Sequence, residues 1–140
     1  MRGESDRCSC GIALESRLGQ AYNQEAFRYF LAVERKRSKR STRPFLLLLL
    51  DLREQSGVAM HIDPLMAATL FSGLSRCLRE TDVLGWYREG RVIGAVLTQF
   101  EERPGTGIAH VVVQRVRRAL QGLPSDALRR LQTRVYQRPA

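Results

Sequence analysis

The sequence predicts one α+β domain of ferredoxin-like type, a βαββαβ order with one antiparallel sheet and helices, preceded by an N-terminal helix. Three observations predict it. Phe45 to Leu50 is a continuous apolar run closing on Asp51, with the length of a strand buried on both faces. Two apolar runs, Val83 to Tyr87 and Val92 to Leu97, flank the polar tripeptide Arg88-Glu89-Gly90 with Arg91 behind it. That is a hairpin pattern, since a glycine late in a short loop takes the left-handed conformation the turn needs. Helical stripes lie before the leucine run, between it and the hairpin, and after the hairpin.

The elements follow in order. Residues 1–21 read as a lead-in with Ile12, Leu14 and Leu18 as its apolar points, and residues 22–140 as the domain. Asn23 is placed to cap a helix whose apolar stripe is Phe27, Phe30 and Leu31 and whose end is Arg35-Lys36-Arg37-Ser38-Lys39-Arg40. Arg43-Pro44 breaks the helix, and the leucine strand follows. Arg53 to Gly57 is a polar loop. Asp63 caps and Pro64 opens a second helix, with Met66, Leu70, Leu74, Cys77 and Leu78 as its stripe. After the hairpin, whose second run extends toward Gln99, a turn at 104–106 leads to a third helix. This helix runs from about Thr106 to Gln121, with Ile108, Val112, Val116, Ala119 and Leu120 inward. Leu131 to Tyr136 alternates as a last strand. Right-handed crossovers put the leucine strand and the second hairpin strand in the middle of the sheet.

Composition narrows the function. At 140 residues and 44% hydrophobic, the chain is long enough to bury a core. No apolar run approaches the roughly 18 residues of a membrane span, and the N-terminus lacks a signal peptide's apolar stretch. Cys8, Cys10 and Cys77 lack metal-ligand spacing, which points to reduced cysteines in a cytoplasmic protein with no metal site. The formal net charge of +9 favours anionic partners. All but Lys36 and Lys39 of the 23 basic residues are arginine, which suits bidentate contacts to phosphate or guanine. The basic helix end has no interleaved aromatic residues to stack on bases, so a solvated helix end is the plainer reading and a nucleic-acid site the sharper one. His61 and His110 stand without partners and read as packing or surface residues.

Taken together, several features resemble the GGDEF domains, the diguanylate cyclases, over about residues 17 to 137. They are Asn23 with Phe27, the basic helix end, Arg43-Pro44, the strand closing on Asp51, Arg79-x-x-Asp82 and the Trp86-Tyr87 hairpin, all in the family's order. The resemblance implies a nucleotidyl-cyclase-type sheet. It also aligns the Gly-Gly-Asp/Glu-Glu-Phe signature, five residues beyond Asp82, with Arg88-Glu89-Gly90-Arg91-Val92. In the family the paired glycines let the backbone approach a phosphate, and here Arg88 and Glu89 carry side chains at that point. The third signature position supplies a carboxylate to Mg²⁺, and Gly90 has none. The fourth, an acid in the family, is Arg91. Asp51 keeps the first position of the strand's Asp-x-Asp, while the second is Arg53. One carboxylate amid added arginines should not bind Mg²⁺, so the resemblance implies a domain without cyclase activity, with Asp51 capping a loop or pairing with Arg53.

The Arg-x-x-Asp is in the position of the family's inhibitory site for cyclic di-GMP, which binds there as a stacked pair. A guanidinium can donate to guanine O6 and N7 or to phosphate, and a carboxylate can accept from guanine N1 and N2. Arg79, Asp82 and, from the helix after the hairpin, Arg115 are the expected ligand contacts. Two readings follow. The first is a catalytically inactive cyclic di-GMP receptor regulating a protein partner, with polysaccharide synthesis or export the family-level expectation. The second is an interaction or dimerisation module, possible as a homodimer, that has lost ligand binding as well. A surface ion pair between Arg79 and Asp82, worth about 0–1 kcal/mol, is the purely structural alternative.

Overall fold

The leucine strand is the centre of the sheet. In the computed structural model, which describes residues 12–16, 19–98 and 107–138, it extends from Phe45 to Leu52 (β3) and is buried along its whole length. Before it come β1 (Ile12–Ser16), β2 (Gly19–Tyr22) and α1 (Gln24–Ser41). After it come α2 (Pro64–Cys77), β4 (Val83–Arg88), β5 (Val92–Leu97), α3 (Ile108–Ala119), α4 (Ser125–Arg130) and β6 (Leu131–Arg138). Cys8, Cys10, Leu18, Gln99 and the turn at 104–106 lie outside the described residues.

The sheet has six strands in the order β1-β2-β4-β5-β3-β6. Its last four positions are the βαββαβ core, with β3 and β5 in the middle as expected. β3 is antiparallel to both neighbours, pairing Leu49 with Gly94 of β5 and with Arg134 of β6. The segment expected as a lead-in supplies the outer hairpin β1–β2, which joins the sheet through a parallel bridge from Tyr22 to Gly85. β4 would otherwise offer an unpaired edge, and β2 covers it.

Alternation along β3 divides the core into two layers. Leu46, Leu48, Leu50 and Leu52 join the buried faces of α2 and α3 in the larger layer. Phe45, Leu47 and Leu49 meet Phe27 and Leu31 of α1 on the other face. The caps expected for α1 and α2 are formed: Asn23 Oδ1 accepts from the Ala26 N–H at 2.9 Å, and Asp63 Oδ1 from the Met66 N–H at 2.8 Å.

The stripe of α2 centres on Leu70 and Leu74 as expected, and is wider than the sequence suggested. Ala67, Leu70, Phe71 and Leu74 are buried, whereas Met66, Cys77 and Leu78 are only partly so. The Phe71 ring meets Trp86 edge-on at 5.3 Å, which adds Phe71 to the buried face. Phe30 is likewise at the margin, its ring tilted against Tyr22 with centroids 4.9 Å apart. The short helix α4 had no apolar periodicity to announce it; it brings the buried Ala127 to the core just before β6. No helix among the described residues is long and apolar enough to cross a membrane.

The seat of α1 depends on a missing side chain. A Cβ at Gly94 would fall 2.7 Å from the Phe27 ring, well inside contact distance. Gly94→Ala should therefore destabilise the protein by about 1–3 kcal/mol through overpacking. A urea midpoint equal to the parent's would show that Phe27 is not seated on Gly94.

Candidate functional site

Two groups of predicted residues lie at opposite ends of β4. The first is the turn between α2 and β4. There the Asp82 carboxylate accepts from the Arg79 backbone N–H at 2.8 Å and from the Thr98 N–H at 3.3 Å. The Asp82 N–H in turn donates to the Arg79 carbonyl at 3.0 Å. Asp82 thus closes its own turn and ties it to the end of β5. The simple Arg79–Asp82 surface ion pair is not formed; each carboxylate oxygen accepts one backbone N–H and keeps further acceptor capacity. The Arg79 side chain is exposed and has no ion-pair partner among the described residues. Arg115 is exposed on α3. Half-buried Cys77 ends α2 beside this turn. Burial pushes its thiol above the ordinary value, Arg115 and Arg76 pull it down, and Asp82 adds to the rise. Asp82 and Arg115 thus both lie close enough to act on the same sulfur, in opposite directions.

The second group is the hairpin tip with the end of β3. Gly90 has φ +71°, the left-handed conformation expected of it, and the Arg91 N–H donates to the Arg88 carbonyl at 2.9 Å. The tip is tied down from several sides. The Glu89 N–H donates to Gln24 Oε1 at 2.6 Å, and Glu89 Oε1 accepts from the Gln24 N–H at 3.4 Å. This puts the Glu89 carboxylate at the N-terminus of α1, where helix dipole and free N–H groups favour it. Arg28 donates twice to the Tyr87 carbonyl, at 2.9 and 2.8 Å, and its guanidinium lies 4.2 Å above the Tyr87 ring. The Gly90 carbonyl accepts from the Ile62 N–H at 2.7 Å, and Arg91 donates to the Ala59 carbonyl at 3.2 Å. Val92 is core.

Asp51 is 1% exposed at the end of β3. Arg53 Nε donates to both of its oxygens at 3.2 Å, and Arg134 of β6 donates at 3.4 Å. The pairing with Arg53 was one of two expected fates for Asp51; Arg134 was not anticipated. Its signal was present, however, in the alternation Arg134, Tyr136, Arg138, which the register lays opposite Leu49, Leu47 and Phe45 on the face that carries Asp51. With Gly90 lacking a carboxylate, Glu89 bonded at α1 and Asp51 paired twice, these residues do not fit a divalent cation. Among the described residues no three His, Cys, Asp or Glu side chains gather as a metal site.

This architecture has counterparts among solved structures. A sensory box/GGDEF family protein from Caulobacter crescentus superposes with a TM-score of 0.61 at 18% identity, over 91% of this chain and 85% of that one. The chain has the GGDEF-domain fold. The GGDEF domain of DgcB from Caulobacter crescentus, in complex with cyclic di-GMP, matches with a TM-score of 0.59 at 13% identity, over 89% of this chain and 74% of that one. The diguanylate cyclase SiaD from Pseudomonas aeruginosa, in complex with its activator SiaC, matches with a TM-score of 0.53 at 18% identity, over 98% of this chain and 53% of that one. No protein-family model and no curated protein matches the sequence. At these identities the likeness to GGDEF structures is one of fold.

The Asp51 cluster gives a stability prediction. Replacing both Arg53 and Arg134 by alanine strands a buried carboxylate and should cost about 3–5 kcal/mol. Adding Asp51→Asn to that background should recover part of the loss. Urea denaturation checks both, and a double arginine variant as stable as the parent would contradict the pairing.

Proposed function

We propose that this GGDEF-fold domain is a catalytically inactive receptor for cyclic di-GMP, with Arg79, Asp82 and Arg115 as its ligand contacts. The observation that carries the reading is the state of the Arg79–Asp82 turn. The turn is closed by backbone bonds to Asp82, and the exposed Arg79 guanidinium has no ion-pair partner among the described residues. A pre-positioned turn beside an exposed guanidinium costs little to order around a guanine or phosphate. Arg115, which shares Cys77 with Asp82 as an electrostatic neighbour, supplies a second cation for a dianionic ligand, taken as a stacked pair.

Inactivity rests on the other end of β4. Phosphoryl transfer from a nucleoside triphosphate needs metal ions to position phosphates and neutralise developing charge. Here guanidiniums occupy the Asp51 carboxylate, and the tip carries no carboxylate at Gly90. The role we propose is regulation of a protein partner in the cytoplasm, with polysaccharide synthesis or export the expected setting. A complex or homodimer insensitive to nucleotide would instead favour the ligand-independent interaction module.

Calorimetry with cyclic di-GMP tests the receptor reading. Binding should appear at roughly 10–50 µM ligand. Arg79→Ala should weaken it roughly tenfold to a hundredfold, since hydrogen bonds to charged groups contribute about 1.5–3 kcal/mol. No heat, or unchanged affinity in the variant, sinks the reading. Incubation with GTP and Mg²⁺ should give no cyclic di-GMP; its appearance would refute inactivity.

A further inference from the structure

The two edges of the sheet differ. β1 is five residues long, and its pairing with β2 is irregular between Ile12 and Leu14. β6 is eight residues long, and its register against β3 is unbroken from Leu131 to Arg138. Among the described residues β6 pairs with β3 alone and so ends the sheet. In an antiparallel pair every second residue turns its N–H and C=O away from the partner strand. Along Gln132 to Tyr136 those groups form a template for one more strand. Alternation places Arg134, Tyr136 and Arg138 on the face that carries Asp51, and Thr133 and Val135 on the α2–α3 face. β6 contains no acidic residue. Arg134 gives Asp51 one N–H at 3.4 Å, and its Nε has no acceptor. Arg138 has no ion-pair partner among the described residues and lies 5.3 Å from the Tyr136 ring.

We propose that the β6 edge docks an extended acidic segment of a partner protein, which joins the sheet as a further strand. Backbone hydrogen bonds hold such a strand, and its alternate side chains decide whether it fits. Arg134 and Arg138 lie four residues apart on one face with Tyr136 between them. The pattern that fits is an acid, an apolar residue and a second acid at every second position. A second copy of the chain fits poorly. Pairing β6 with β6 sets arginine near arginine, and neither strand has an acid to offset the repulsion. The same charges protect the edge from indiscriminate pairing, so they select a partner as well as attract one. The edge shares no residue with the Arg79–Asp82 turn, and the inference stands whether or not the domain takes cyclic di-GMP.

The test is fluorescence polarisation of the labelled peptide Thr-Asp-Thr-Val-Thr-Asp-Thr with the whole chain, in the absence of nucleotide. The peptide should bind saturably, with a Kd below about 1 mM. Arg138→Glu, which leaves Asp51 paired, should weaken binding roughly threefold to tenfold and favour a peptide with lysines in place of the aspartates. N-methylation of one alternate set of peptide amides should abolish binding, and methylation of the other set should not. Amide hydrogen exchange should slow at alternate residues within Gln132 to Tyr136 when the peptide binds. Absence of binding, or parent-like binding by both methylated peptides, would overturn the proposal. So would slowed exchange confined to the basic end of α1, Arg35 to Arg40. If the chain alone sediments as a dimer with those β6 amides already slow, a second copy occupies the edge and the acidic-segment assignment fails.

Discussion

A carboxylate buried at the end of the leucine strand sets the character of this domain. Asp51 is nearly inaccessible to water, and an isolated charge in that position would be prohibitively costly. Two guanidiniums, one from the following residue pair and one from the neighbouring strand, remove that cost. Their arrival fixes the register of β6 against β3, because a slip by one residue would turn Arg134 to the opposite face. It also uses up the carboxylate. The same contact that stabilises the strand end thus takes away what a metal ion would need.

From that point the two ends of β4 diverge. At its C-terminal end, Glu89 is bonded to the start of α1 and Arg28 clamps the Tyr87 carbonyl, so the tip acts as a structural clasp between helix and sheet. At its N-terminal end, Asp82 organises a turn while Arg79 remains outside it. The solved structures of this fold include a domain holding cyclic di-GMP and a cyclase holding an activator protein. Ligand binding and protein contact are both within the fold's repertoire, and the residues of each chain decide between them.

Much of the fold was legible in the residues. The run Phe45 to Leu50 could only be a strand buried on both faces, and Asn23, Asp63 and Pro64 mark helix starts by chemistry that acts locally. The outer hairpin β1–β2 was not legible, because its place depends on a single distant bridge to Gly85. The short α4 was hidden for lack of a stripe, and the buried face of α2 takes in Phe71, whose ring meets Trp86 across the core. In the site, Asp51 with Arg53 followed from their closeness in sequence. Arg134, 83 residues from Asp51, and the pair Gln24 with Glu89, 65 apart, required the assembled sheet.

Arg53 and Arg134 hold the Asp51 carboxylate that a metal ion would need. Paramagnetic line broadening by substoichiometric Mn²⁺, followed amide by amide in an ¹⁵N-labelled sample, tests this most directly. The account predicts no selective broadening at Asp51 to Arg53 or at Arg88 to Gly90. Selective loss of those signals, reversed by EDTA, would contradict it.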